Sequence, residues 1–153
     1  MVGPTTNLAS VCAALNAADA GYVVIGAHAV NLWGVTRGTR DIDLLIGATE
    51  ANAQRVLDAL TSIGFYLTRT LDAAEVARRP VTMIGDLWRV DIFTLAWSIR
   101  YPETRRDARV FDVEGVPIPT ASIPHLIASK RTGRLQDAAD IEMLEEIARR
   151  LGS

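Results

Sequence analysis

The chain has 153 residues, about half of them hydrophobic and about a fifth charged, which is the balance of a single globular domain with enough length to bury a sizeable core. A net charge of −2 gives no overall field that favours nucleic acid or anionic lipid, and the local basic runs at Arg78-Arg79 and from Arg100 to Arg109 read as solvated loops. Cys12 is the only cysteine, so no internal disulfide framework exists. Cys12, His28 and His125 are too scattered for a zinc site to be expected.

No stretch approaches the roughly 18 apolar residues of a membrane span, and the first residues lack the basic-then-apolar order of an export signal. The expected location is the cytoplasm.

Thr5 or Thr6 is placed to cap a first helix running to about Ala20, with Leu8, Val11, Cys12 and Leu15 on its apolar face and Gly21 at its end. Tyr22-Val23-Val24-Ile25 is a β-branched run and predicts a buried strand. Gly26 breaks it, and Ala27 to Trp33 reads as a helix stopped by Gly34. A loop through Arg37 leads into a strand over Arg40–Ile46. A helix follows from Ala48 or Thr49 to about Ile63, then a strand over Phe65–Thr68 and a short helix over Leu71–Arg78.

Val81–Ile84 and Leu87–Phe93 predict two strands joined by a two-residue turn at Gly85-Asp86. A second hairpin, Arg109–Val113 with Val116–Ile118, turns at Glu114-Gly115. Ser122 caps a helix beginning near Pro124, Gly133 interrupts it, and Asp137–Leu151 forms the last helix. The expected fold is α/β (or α+β): a mixed sheet flanked by helices, with a helical C-terminus. One domain spans 1–153, with a core over about 20–95 and the hairpin and helices over about 109–151.

The chemistry concentrates in Thr39-Arg40-Asp41-Ile42-Asp43-Leu44-Leu45-Ile46. Alternation along a strand puts Asp41 and Asp43 on one face and Ile42, Leu44 and Ile46 on the other. Paired carboxylates repel unless a cation or proton lies between them. Alone, the pair fits a solvated sheet face as well as a metal site. Asp91 is a third carboxylate within the apolar strand Trp88-Arg89-Val90-Asp91-Ile92-Phe93. If the two strands are neighbours, three hard oxygen donors converge with open positions, the arrangement magnesium uses with phosphates. Gly26, between a strand and a helix, allows the tight turn at which backbone N–H groups can meet a phosphate.

Together, Ile25-Gly26-Ala27-His28-Ala29, Gly34, Arg37, Thr39, Asp41-Ile42-Asp43-Leu44 and Asp91 resemble the nucleotidyltransferases of the DNA polymerase β superfamily. The likeness is greatest to small bacterial stand-alone members, the minimal types and the AbiEii-like toxin–antitoxin group. The stretch from Leu126 to Asp137, with Lys130, Gly133-Arg134 and Asp137, is similar to their C-terminal segment.

The resemblance implies that Asp41, Asp43 and Asp91 bind Mg2+ or Mn2+, with Asp91 also helping to activate an acceptor hydroxyl. It implies that Gly26, Ala27, Arg37, Thr39 and Lys130 contact a nucleoside triphosphate. Arg37 reads equally as a phosphate contact or as an ion pair supporting the carboxylates, Thr39 as an ordering residue of its loop, and His28 as a packing residue. Lys130 is the only lysine among sixteen basic residues. Asp137 and Asp140 read as solvating the last helix or pairing with Arg134.

The implied reaction transfers a nucleoside monophosphate to a protein, a tRNA or a small molecule. From the short length, a partner protein or homodimer is expected to complete the site. The family carries Gly-Ser or Gly-Gly where this chain has Gly26-Ala27, so a hydroxyl is missing there. The alternative is a non-catalytic binding module or antitoxin-like partner protein on the same fold.

Overall fold

In the computed structural model, which describes residues 4–152, the two apolar runs form adjacent central strands. These are β1 (Tyr22–Ile25) and β2 (Ile42–Ile46), and every residue in them is buried except Asp43. They run antiparallel, with Ile25 opposite Asp43. Beyond them lie β3 (Val81–Ile84), β4 (Val90–Phe93), β5 (Arg109–Val113) and β6 (Val116–Thr120), in the spatial order β3-β4-β2-β1-β6-β5. The β2/β4 and β1/β6 pairs are parallel and the others antiparallel, so the sheet is mixed as expected.

Among the described residues, seven α-helices flank it: α1 (Asn7–Ala17), α2 (Gly26–Leu32), α3 (Glu50–Ser62), α4 (Ala73–Arg78), α5 (Tyr101–Arg106), α6 (Ile123–Ser129) and α7 (Leu135–Gly152). The caps follow the sequence: Thr6, Thr49 and Ser122 hydroxyls accept from the amides of Ala9, Asn52 and His125 at 3.1–3.3 Å. α1 packs on α3 and β6. Val11, Leu15, Val56 and Leu60 belong to the same buried core as Val23, Leu44 and Ile118. No described helix is long and apolar enough to cross a membrane.

Several local expectations are corrected. α1 stops at Ala17, not Ala20, because Asp19 takes a left-handed conformation (φ 55°) and the Ala20 amide reaches back to the Leu15 carbonyl. Phe65–Thr68 is not a strand; Leu67–Thr70 is a 3-10 turn. The Asp86 carboxylate accepts from the Tyr66 and Leu67 amides and holds that turn.

Asp86 is therefore not half of a two-residue hairpin. Ile84 pairs with Val90, and 85–89 form a five-residue link. α5 arises within the arginine-rich segment expected to be loop, opened by Pro102 in its first turn. The second hairpin turns at Glu114 and Gly115, both with positive φ, and β6 runs on to Thr120.

Candidate functional site

Parallel pairing of β2 with β4 sets Asp43 directly beside Asp91. Registered neighbours on adjacent strands face the same way, so the two carboxylates share one face of the sheet. Asp41 lies one residue before β2 begins, and its side chain is about half exposed. Asp91 is buried. Burial, then the charges of Asp91 and Asp41, push the Asp43 carboxyl up to about 7, against the opposing pull of Lys130 and Arg89.

The three expected ligands therefore come together as an under-neutralised cluster. Among the described residues, no three His, Cys, Asp or Glu side chains close around a common point at metal-holding distance. Arg89 stands between two of these carboxylates. Its Nε lies 3.3 Å from Asp91 Oδ1 and 3.8 Å from Asp41 Oδ2. The donor set suits magnesium in kind, since carboxylate oxygens beside an open face are what that ion takes while keeping water and phosphate ligands.

Gly26 touches the same cluster. Its φ is +72°, and a Cβ built there would lie 2.1 Å from Asp43 Oδ2. Glycine is needed twice over, once for the backbone conformation and once for the space the carboxylate occupies. Gly26 and Ala27 open α2 beside Asp43, as the strand–glycine–helix pattern predicts. Thr39 donates its hydroxyl to the Asp41 carbonyl at 3.3 Å, so it orders the approach to β2. His28 is half-buried, and burial lowers its basicity against the attraction of Asp41.

Lys130 and Arg37 sit in a second cluster. Lys130 Nζ lies 3.0 Å from Asp140 Oδ2 and 3.8 Å from Asp137 Oδ1. Arg37 pairs with the other oxygen of Asp140, and the Gln136 amide oxygen accepts from it in the orientation that satisfies both groups. Asn31 brackets the Arg37 backbone, its side chain donating to the carbonyl at 2.8 Å and accepting from the amide at 2.7 Å. Arg37 thus buttresses α7, not the carboxylates of β2. Lys130 remains close enough for its charge to favour ionised Asp43.

Asp137 and Asp140 are buried, at 4% and 2% exposure, which corrects the expectation that they solvate α7. Asp137 does pair with Arg134, at 2.8 Å. The spacing 137, 140, 144 is a helical stripe ending in buried Leu144, and that periodicity was the available signal. Strand alternation sets Arg89, two residues before Asp91, on the same face, but nothing local marks it as the partner of both Asp41 and Asp91.

A cavity of about 640 Å3 opens beside Asp41, lined by His28, Thr39, Arg40, Trp88 and Arg89 among others. A larger one, about 710 Å3, lies around Tyr22, Gly47 and Tyr101 at the opposite end of β1 and β2; none of the expected site residues lines it. The smaller cavity is the one that reaches the cluster, at Asp41 and Arg89, and so bears on the chemistry.

No family model matches the chain, and no curated protein matches it significantly in sequence. Solved structures do match. One is an antigenic nucleotidyltransferase-like protein from Paracoccidioides brasiliensis, with a TM-score of 0.59 and 16% identity over 94% of this chain and 74% of that one. Another is a Thermotoga maritima protein provisionally named a nucleotidyltransferase, with a TM-score of 0.56 and 16% identity over 95% of this chain and 90% of that one. At that identity the likeness speaks for architecture, here a mixed sheet flanked by helices with a helical C-terminus: the chain has a nucleotidyltransferase-like fold.

Proposed function

We propose that the protein is a metal-dependent nucleotidyltransferase, moving a nucleoside monophosphate from a triphosphate to an acceptor hydroxyl and releasing pyrophosphate. The observation that carries this reading is the registered pair Asp43 and Asp91, backed by Asp41 and sharing its space with the side-chain-free Gly26. A domain with no cation to bind gains nothing from setting carboxylates side by side at this depth.

Asp41, Asp43 and Asp91 would hold Mg2+ or Mn2+, which supplies positive charge opposite the phosphates. The Gly26-Ala27 turn and Thr39 would shape the triphosphate site. Asp91 would take the proton of the acceptor hydroxyl as its oxygen bonds to the α-phosphorus and the bond to the β-phosphate breaks. Positioning and charge neutralisation supply most of the catalysis in such a site.

The small bacterial, AbiEii-like assignment, the cytoplasmic location and a partner protein or second copy completing the site belong to this proposal. The acceptor would be a protein, a tRNA or a small molecule. A second reading, a non-catalytic module on this fold, draws on Ala27 and on the engagement of Lys130 and Arg37 by Asp140.

Calorimetric titration with each of the four ribonucleoside triphosphates, with and without magnesium, separates the two readings. Magnesium-dependent binding that disappears in Asp41→Asn/Asp43→Asn supports the enzyme. Nucleotide binding indifferent to magnesium and to those substitutions would favour the module.

A further inference from the structure

Arg89 is oddly placed for a surface residue. It precedes Asp91 by two positions on the same face, and its guanidinium meets two of the three site carboxylates. Nε lies 3.3 Å and Nη2 3.4 Å from the two oxygens of Asp91, and Nε is 3.8 Å from Asp41 Oδ2. Among the described residues no other cation pairs with Asp41 or Asp91. Lys130 and Arg37 are held by Asp137 and Asp140, and Arg40, next to Asp41, makes no ion pair.

The grip on Arg89 is weak. Its hydrogen bonds are at the long end of the range, and its side chain is half exposed. Its other polar contact is Met83 Sδ at 3.5 Å. It also lines the 640 Å3 cavity, so it borders open space.

We propose that Arg89 is the built-in counter-cation of the carboxylate site: it neutralises Asp41 and Asp91 while no metal is bound and yields both to a divalent ion. The proposal rests on the metal-binding reading above. The planar fork of a guanidinium can bridge two carboxylates, but it carries one charge spread over three nitrogens. A magnesium ion needs the same oxygens at about 2.1 Å. Two cations drawn to the same oxygens repel each other, so metal entry and the Arg89 contacts oppose one another.

The apparent metal affinity is then lowered by the fraction of molecules in which Arg89 covers the site. Without Arg89, Asp41, Asp43 and Asp91 would face one another with only the charge of Lys130 to offset them. With it, the metal-free fold keeps its strands in register at the cost of weaker metal binding.

The test is Mn2+ titration, read by the electron paramagnetic resonance of the free ion at pH 8, on the wild type, Arg89→Gln, Arg89→Lys and Asp43→Asn. Arg89→Gln should bind Mn2+ about tenfold more tightly, a coupling of ordinary size. Arg89→Lys, which keeps the charge, should stay near the wild type, and Asp43→Asn should lose binding.

Equal or weaker binding by Arg89→Gln, with Asp43→Asn still defective, would overturn the counter-cation role and leave the metal reading intact. No Mn2+ binding by either the wild type or Arg89→Gln would overturn the metal reading and this role with it. A second measurement needs no variant: the Arg89 Nε–H resonance of the wild type should shift and exchange faster with water on saturation with Mg2+. An unmoved resonance in a metal-loaded protein also overturns the role.

Discussion

Two clusters of charge lie close together in this fold, and they are built on opposite principles. Around Asp140, two acids face Lys130, Arg37 and Arg134, and all the carboxylates are paired and buried. Around Asp43, three acids face one half-exposed arginine, and burial with like-charge repulsion raises the Asp43 carboxyl to about 7. The first cluster is complete within the chain. The second is complete only with something positive added. A cluster whose carboxylates are all paired fixes how elements dock; one that leaves them under-neutralised is a candidate site.

The largest effect should come from the unbalanced cluster. Asp43→Asn keeps the shape and removes a charge, so nucleotidyl transfer should fall by at least on the order of a thousandfold while the fold survives. Incorporation of labelled nucleotide measures the first and circular dichroism the second. Full activity in this variant would break the contrast between the clusters outright.

The same carboxylate gives a pH signature in the metal-free protein. Its folded pKa is raised, so the folded state binds more protons than the unfolded one between about pH 4 and 7. The stability it contributes is complete below its unfolded pKa and is lost as the pH rises through about 7. At about 1.4 kcal/mol per pKa unit, the loss is bounded on the order of 4 kcal/mol. Asp137 works the other way. Burial pushes its carboxyl up, but hydrogen bonds from Thr132 and Arg134 outweigh this and hold it low, so its contribution is already present above pH 5. Urea midpoints in EDTA should therefore fall from pH 5 to 8 in the wild type, whereas in Asp43→Asn the fall should vanish and leave only the smaller, opposite rise from His28, whose basicity burial lowers.

In the balanced cluster, Asp140→Asn should cost stability instead of chemistry. It leaves Lys130 and Arg37 without their shared carboxylate. Breaking a buried pair costs about 3–5 kcal/mol, and the partial exposure of Arg37 places this one near the lower end. Equilibrium denaturation reads it directly. Gly26→Ala should follow at about 2–3 kcal/mol, because it forces an alanine into a left-handed conformation and drives its Cβ into Asp43. Denaturation again gives the loss, and Mn2+ affinity should weaken with it.

The sequence shows the two clusters unequally. Asp41, Asp43, Gly26 and Asp91 were legible because strand alternation and a strand–glycine–helix pattern are local. Only the pairing of β2 with β4 had to be supplied by the fold. The Asp140 cluster joins Arg37 to a helix 103 positions away, and no local pattern encodes that. Elsewhere the errors have one form. Phe65 and Tyr66 have strand propensity, yet Asp86, some 20 positions on, caps their backbone and makes a turn of the next residues. That same use of Asp86 undid the expected two-residue hairpin. The arginines of 100–106 concealed α5 because a charged segment resembles loop until one buried face, here Thr104, gives it a reason to coil.

The weakest effect gives the sharpest control. Glu146 lies six positions after Asp140 on the same helix and, like it, pairs with two cations, here Arg149 and Arg150. Counting ion pairs would rank the two acids alike. The physics does not: Glu146 and its partners are exposed, water and salt screen them, and holding long side chains together costs entropy. Glu146→Gln should leave the urea midpoint unchanged, in low salt and in high, while Asp140→Asn lowers it in both. An equal loss from the two variants would mean that the ends of α7 are held by charge wherever it falls. An unequal one assigns the docking of α7 to the buried face that carries Asp137, Asp140 and Leu144.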